Sequence, residues 1–122
     1  MLNIDDNRVA LTIHPLLRLA FRPLFLGGTL FSLIAIAWWA YFWTWPFNWQ
    51  PYGGALWWHG HEMVFGFGSA IITGFLLTAV QTWTGVIGLR GLPLAILSAT
   101  WLSGRLLLAF DTGFPPLLIA IV

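Results

Sequence analysis

Long apolar runs separated by short polar or aromatic segments dominate the chain. Three runs, over about 24–42, 63–80 and 92–110, come close to the ~20 residues that a helix needs to cross a bilayer core. A further apolar run over 114–122 is too short to cross. The pattern therefore predicts an all-α fold, a polytopic membrane helix bundle with three full transmembrane helices and the start of a fourth.

The first part of the chain is a basic leader, and the rest reads as a transmembrane domain. We place the boundary between 1–23 and 24–122 because the last leader charges, Arg18 and Arg22, stand directly before the first apolar run. No small-residue cleavage site closes that run. A cleaved signal peptide has such a site, so we expect the first span to be retained.

The arginines predict an orientation. The leader contains three arginines, the loop after the second run contains Arg90, and the aromatic segment 41–52 contains none. Cytoplasmic loops are enriched in Lys and Arg. We therefore expect the N-terminus and the 81–91 loop to be cytoplasmic, with the Trp-rich segment on the outer face.

Composition supports a lipid environment and removes several function classes. Hydrophobic residues make up 59% of the 122 residues and charged residues only 7%, against about 25% in soluble domains. The net charge of +1 argues against nucleic-acid binding. Cysteine is absent, which excludes disulfides and thiolate metal sites. Nine tryptophans fit the membrane–water interface.

Ionisable groups concentrate next to the second apolar run, in the segment WWHGHEM. It contains two imidazoles, a carboxylate and a thioether, from His59, His61, Glu62 and Met63. Imidazole suits copper, iron and zinc, and thioether suits Cu(I) or haem iron. Two interpretations stay open: metal or haem ligation by His59 and His61, or histidines that only anchor the helix at the interface.

The geometry of the two histidines depends on where the helix begins. If residue 59 is already helical, His59 and Glu62 lie on one small or polar stripe, and His61 points to the opposite side. If the helix begins only at Glu62, an extended His59-Gly60-His61 segment directs both imidazoles to one side. The stripe has these further members: Met63, Gly66, Ala70, Thr73, Leu77 and Gln81.

A charge inside the third run and a small-residue face in the second add two further signals. Arg105 lies in the membrane, at an expected depth close to that of Glu62, and such charges normally have a partner or a route to water. It either reaches the outer interface, or pairs with Glu62 or with an anionic cofactor group such as a propionate. Gly66, Ala70 and Gly74, spaced by four, predict close helix packing or room for a planar cofactor.

At these residues the sequence resembles the NnrS family of bacterial membrane proteins. The matching pieces occur in the family's order and nearly cover the chain: AFRP at 20–23, WHGHEMVFGF at 58–67, GFLLTAVQTWTG at 74–85 and WLSGR at 101–105. Family members are several times longer, so the resemblance implies that the chain corresponds to an N-terminal portion in the bacterial inner membrane.

The resemblance implies haem and copper as cofactors and a link to nitric oxide metabolism, nitrosative-stress tolerance and denitrification. By this resemblance His59 and His61 become the metal or haem ligands, Met63 and Arg105 contribute to cofactor binding, and Glu62 supports them. The expected partners are the lipid bilayer and nitric oxide or its metal–nitrosyl adducts. Whether the site is catalytic stays open. Two alternatives are a transporter or channel subunit and a truncated fragment without independent activity.

Overall fold

The computed structural model describes residues 11–45 and 47–110, which form helices and loops without strands. A 3₁₀ turn at Pro15–Leu17 precedes helix α1, Phe21–Thr44. The second helix is continuous over Ala55–Thr84 and consists of α2 (Ala55–His61), a π-helical segment (Glu62–Gly68) and α3 (Ser69–Thr84). Helix α4 covers Leu92–Ala109.

Three helices are long and apolar enough to cross a membrane, which confirms the predicted all-α fold with three spans. The second helix begins at Ala55, well before the apolar run that starts at residue 63. The extra turns contain the histidine motif. Its polar residues lower the mean hydropathy of this segment, so hydropathy alone does not predict that the segment is part of the helix. The predicted fourth run, 114–122, lies outside the described residues.

Small residues bring α1 and α3 together. Gly74 lies so close to α1 that a Cβ there would be 3.0 Å from the Phe25 ring and 3.1 Å from the Leu24 Cβ. One turn further along the interface, a Cβ on Gly28 would be 3.0 Å from the Cβ of Ala70. Such spacing lets helix backbones approach closely within lipid. The small-residue face predicted from the sequence is therefore a helix-packing surface.

At one end of the bundle, residues 47–54 form a Trp-containing loop that folds over the C-terminal end of α4. The last carbonyls of a helix have no partner within it. Trp49 donates its indole N–H to the Ala109 carbonyl at 2.8 Å, and the Tyr52 amide donates to the Leu108 carbonyl at 3.2 Å. We call the apolar group at this end, which includes two residues of the loop itself, the aromatic cluster. It comprises Phe31, Ala35, Phe42, Phe47, Trp49, Ala55, Trp58, Met63, Leu108 and Ala109.

The opposite end joins the leader to the second loop. The Gly91 amide donates to the Leu17 carbonyl at 2.9 Å, and the Phe21 amide donates to the Thr78 hydroxyl at 3.0 Å. The described part of the leader, residues 11–23, and the 81–91 loop therefore lie at the same end of the bundle, as the arginine pattern predicts. The assignment of that end to the cytoplasm stays a prediction.

Candidate functional site

An ion pair inside the bundle joins the second helix to α4. Arg105 Nε lies 3.1 Å from Glu62 Oε2, and the Glu62 side chain is 0% exposed. The Nε–H bond is not aligned with the carboxylate, so these two atoms form an ion pair without a hydrogen bond. Of the two alternatives drawn from the sequence, the structure shows the pair with Glu62, and Arg105 is buried.

The π-helical segment is the surface against which α4 docks. Its wider winding is visible at Ser69, whose amide donates to the carbonyl of Val64, five residues earlier. Two side chains of α4 donate to carbonyls in this segment. Trp101 Nε1–H donates to the Gly66 carbonyl at 3.0 Å, and an Arg105 guanidinium N–H donates to the Phe65 carbonyl. Short π-helical segments occur frequently at functional sites.

Replacing Trp101 by Phe tests how much this docking depends on the indole N–H. The Trp101 ring also packs edge-to-face on Phe31 at 5.8 Å, and phenylalanine keeps most of that contact. We expect a loss of about 0.5–1.5 kcal/mol in the free energy of unfolding, the usual net value of one hydrogen bond. The measurement is reversible unfolding in mixed detergent micelles.

The matched control is Trp83→Phe, because Trp83 is 68% exposed at the end of α3. That replacement should change the free energy of unfolding by less than about 0.5 kcal/mol. Equal losses for the two variants would show that the bond to the Gly66 carbonyl contributes nothing specific.

Gly66 leaves the space in which the ion pair sits. A Cβ at this position would lie 2.6 Å from Glu62 Oε2 and 2.7 Å from a carbon of the Phe31 ring. It would also lie 3.4 Å from the Arg105 Cδ. A glycine in mid-helix weakens a helix. Here its absent side chain allows a carboxylate and a guanidinium to occupy the interior between three helices.

His61 is held on both faces and at one edge. Its ring stacks between Trp57, with centroids 4.7 Å apart, and Phe65, with centroids 4.9 Å apart. Its Nδ1 lies 3.1 Å from Glu62 Oε1, so the carboxylate contacts His61 through one oxygen and Arg105 through the other. His61, Glu62 and Arg105 therefore form a connected triad across two helices.

His59 has different surroundings. Its ring lies flat on Trp39 of α1, with centroids 4.1 Å apart and planes 15° from parallel. Its Nδ1 and the Trp39 Nε1 are both buried and have no hydrogen-bond partner within the described part of the chain. Residues 55–61 are helical, so the structure takes the helical alternative for His59-Gly60-His61 and not the extended one. The two imidazoles accordingly contact different groups.

Met63 belongs to the aromatic cluster, at the end of the bundle where the C-terminal end of α4 lies. In this position the flexible Met63 side chain fills an irregular apolar space, which is a structural role that needs no metal.

A cavity of about 520 Å³ lies next to the cluster, between α1 and α4, with Trp58 and Arg105 in its lining. Among residues 11–45 and 47–110, no group of three or more His, Cys, Asp or Glu side chains is arranged to hold a metal ion.

The structure also adds residues that sequence reasoning missed. Trp39 stacks on His59, Phe65 stacks on His61, and Trp101 anchors α4 to the π-helical segment. Phe65 follows His61 by four positions, which is the helical spacing of neighbouring side chains. That spacing could have identified Phe65. Trp39 and Trp101 each contact a residue of another helix. The spacing of residues within one helix cannot predict such contacts.

Comparison with known proteins gives one match. A family model described as NnrS protein matches residues 15–122. This range includes the His59–Met63 motif, the small-residue face of the second helix and Arg105. No curated protein and no solved structure matches the chain significantly.

Proposed function

The chain belongs to the NnrS family, and from this premise we propose that it is a haem- and copper-associated membrane protein of the nitric oxide response. The observation that carries the proposal is the triad of His61, Glu62 and Arg105, which lies inside the membrane-spanning bundle and within the matched residues. Ionisable groups at membrane depth mark functional sites more often than structural ones.

The donor groups fit a haem or copper centre at the two histidines. A metal-binding histidine usually has its second ring nitrogen bonded to a carboxylate or carbonyl, and His61 has this arrangement through Glu62. His59 has a buried Nδ1 without a partner among the described residues. Buried polar atoms in native proteins generally have a partner, so an unpaired one is consistent with a missing ligand.

Each residue of the candidate site has a separate role in this proposal. His59 and His61 would hold the metal or haem, and a metal centre, when bound, supplies a site at which nitric oxide can coordinate. Glu62 orients His61, and Arg105 balances the carboxylate charge. Aromatic rings lie against both histidines, Trp39 on His59 and Trp57 and Phe65 on His61. Met63 and Arg105 stay proposed as cofactor contacts, although Met63 packs in the aromatic cluster and Arg105 pairs with Glu62.

Purification of the chain in detergent, followed by an optical spectrum and metal analysis, tests the proposal. We expect a haem absorption band and bound copper, with at least one of the two lost in His59→Ala and in His61→Ala. His14→Ala is the matched control, because His14 only caps the 3₁₀ turn through its ring nitrogen and the Leu16 amide. Among the described residues the His14 ring is not in contact with His59 or His61, so that variant should retain the cofactor content of the unchanged chain.

Two results would count against the proposal. Absence of both haem and copper from the unchanged chain would contradict it, as would cofactor contents that ignore the His59 and His61 replacements. In the first case, solute flux through liposomes containing the chain would favour a transporter or channel subunit instead.

A further inference from the structure

We propose that Glu62 is a positioning residue that holds His61 in the tautomer with a free Nε2, with Arg105 as its counter-ion, so that His61 is the oriented ligand of the pair. The inference rests on the proposed function for its purpose, since an oriented imidazole matters only if something binds to it. The arrangement of atoms is independent of that purpose.

One edge of the His61 ring lies against the Glu62 carboxylate. An ionised carboxylate can only accept hydrogen bonds. At 3.1 Å from Glu62 Oε1, the His61 Nδ1 must therefore be the donor and carry the proton. In the neutral imidazole, the proton on Nδ1 leaves a lone pair on Nε2. Histidine without such a partner prefers the opposite tautomer, so the carboxylate determines which nitrogen is available to a ligand.

Aromatic rings stack on the faces of the His61 imidazole. Trp57 lies 21° and Phe65 28° from parallel to the imidazole. These two residues stand four positions before and after His61, so they flank it along the same helix. With both faces covered and Nδ1 bonded, Nε2 is the remaining polar edge. The side chain is 23% exposed, which leaves a route for a ligand to reach it.

The Glu62 carboxylate has a counter-ion in Arg105. Glu62 is 0% exposed, and an isolated ionised carboxylate would be very unfavourable there. Arg105 keeps its charge in proteins and lies 3.1 Å away, so it compensates the carboxylate from the side opposite His61. An Arg105 N–H also donates to the Phe65 carbonyl, which fixes the guanidinium on the π-helical segment. His59 differs: its ring stacks on Trp39, and its Nδ1 has no hydrogen-bond partner among the described residues.

Nitrogen NMR of the histidines in the cofactor-free chain tests the inference directly. The chain is labelled with ¹⁵N-histidine, placed in lipid nanodiscs and measured at alkaline pH, where free imidazole is neutral. His14→Gln and His59→Gln assign the signals by elimination. We expect a protonated Nδ1 and an unprotonated Nε2 for His61. In the double variant Glu62→Leu/Arg105→Met, which removes both charges together, the Nε2-protonated tautomer should become the major form.

Trp101→Phe is the matched control for a merely structural effect. It removes a bond between α4 and the π-helical segment without changing a group that touches the imidazole. The tautomer of His61 should therefore stay as in the unchanged chain. A His61 signal that is Nε2-protonated from the outset, or one that is the same in the double variant, overturns the inference.

Titration with Cu(I) alone separates this inference from the proposed function. Loss of an orienting carboxylate typically weakens metal binding by about 10–100-fold, and we expect this loss in the double variant. If the tautomer changes but copper affinity does not, His61 is not the oriented ligand and the inference fails. If the unchanged chain binds neither copper nor haem while the tautomer responds as expected, the proposed function fails and the positioning role of Glu62 stands.

Discussion

Replacing Glu62 by Leu should lower the free energy of unfolding by about 3–5 kcal/mol, because it leaves the Arg105 guanidinium buried without its counter-ion. Arginine cannot lose its proton to escape this cost. The carbonyl of Phe65 satisfies one N–H but carries no negative charge. Reversible unfolding in mixed detergent micelles measures the effect, with the many tryptophans as an intrinsic signal.

Variants of Arg105, alone and combined with Glu62→Leu, test whether the two residues stabilise the fold as a pair. Arg105→Met should have a smaller effect than Glu62→Leu, since the orphaned carboxylate can become neutral by binding a proton. The double variant Glu62→Leu/Arg105→Met should recover most of the lost stability, because replacing a buried ion pair by apolar residues is often neutral or stabilising. Losses that simply add in the double variant would show that the two residues are not coupled.

A methyl group at Gly66 should also be strongly destabilising. Gly66→Ala places a Cβ 2.6 Å from Glu62 Oε2 and 2.7 Å from the Phe31 ring. Both distances are shorter than van der Waals contact, so the Glu62 and Phe31 side chains or the helix backbone must move. Overpacking of this kind usually lowers the free energy of unfolding by about 1–3 kcal/mol. Because Glu62 is one of the groups that must move, we also expect Gly66→Ala to change the ¹⁵N signals of His61.

Gly60→Ala is the matched control within the same helix. A Cβ at Gly60 would meet no atom within 4 Å. Alanine there should leave stability unchanged or raise it by up to about 1 kcal/mol, from the better helix propensity of alanine. Equal responses at Gly60 and Gly66 would contradict the view that Gly66 makes room for the ion pair.

The architecture was predictable from the sequence because lipid imposes a simple rule. Each long apolar run must satisfy its backbone hydrogen bonds internally, so it forms a helix. Hydropathy therefore identified three spans. The four-residue spacing of Gly66, Ala70 and Gly74 likewise predicted a close helix contact, because small residues on one face allow backbones to approach. The structure shows α1 packed there, on Ala70 and Gly74.

The sequence was enough to propose residues for the candidate site, but not to predict their contacts. His59, His61, Glu62 and Arg105 stand out in the sequence because ionisable residues lie next to or inside apolar runs there. Burying such residues in a membrane costs free energy, so they usually have partners. Sequence reasoning could not choose between a paired and an interfacial Arg105, since that choice depends on how α4 rotates against the second helix. It also could not place the π-helical segment, which alters the angular positions that a regular 3.6-residue helix assigns to its side chains.

The sequence by itself determined that the chain is a bundle of helices long and apolar enough to span a membrane, and which few ionisable residues lie in or beside its apolar runs, because both follow from local hydropathy and residue type. Tertiary structure decided which groups those residues contact. It separated His59, stacked on Trp39, from His61, bonded to Glu62, and it brought Arg105 from a distant helix to the carboxylate. These outcomes depend on contacts between helices, and the energies of such contacts are not encoded in the pattern of any single segment.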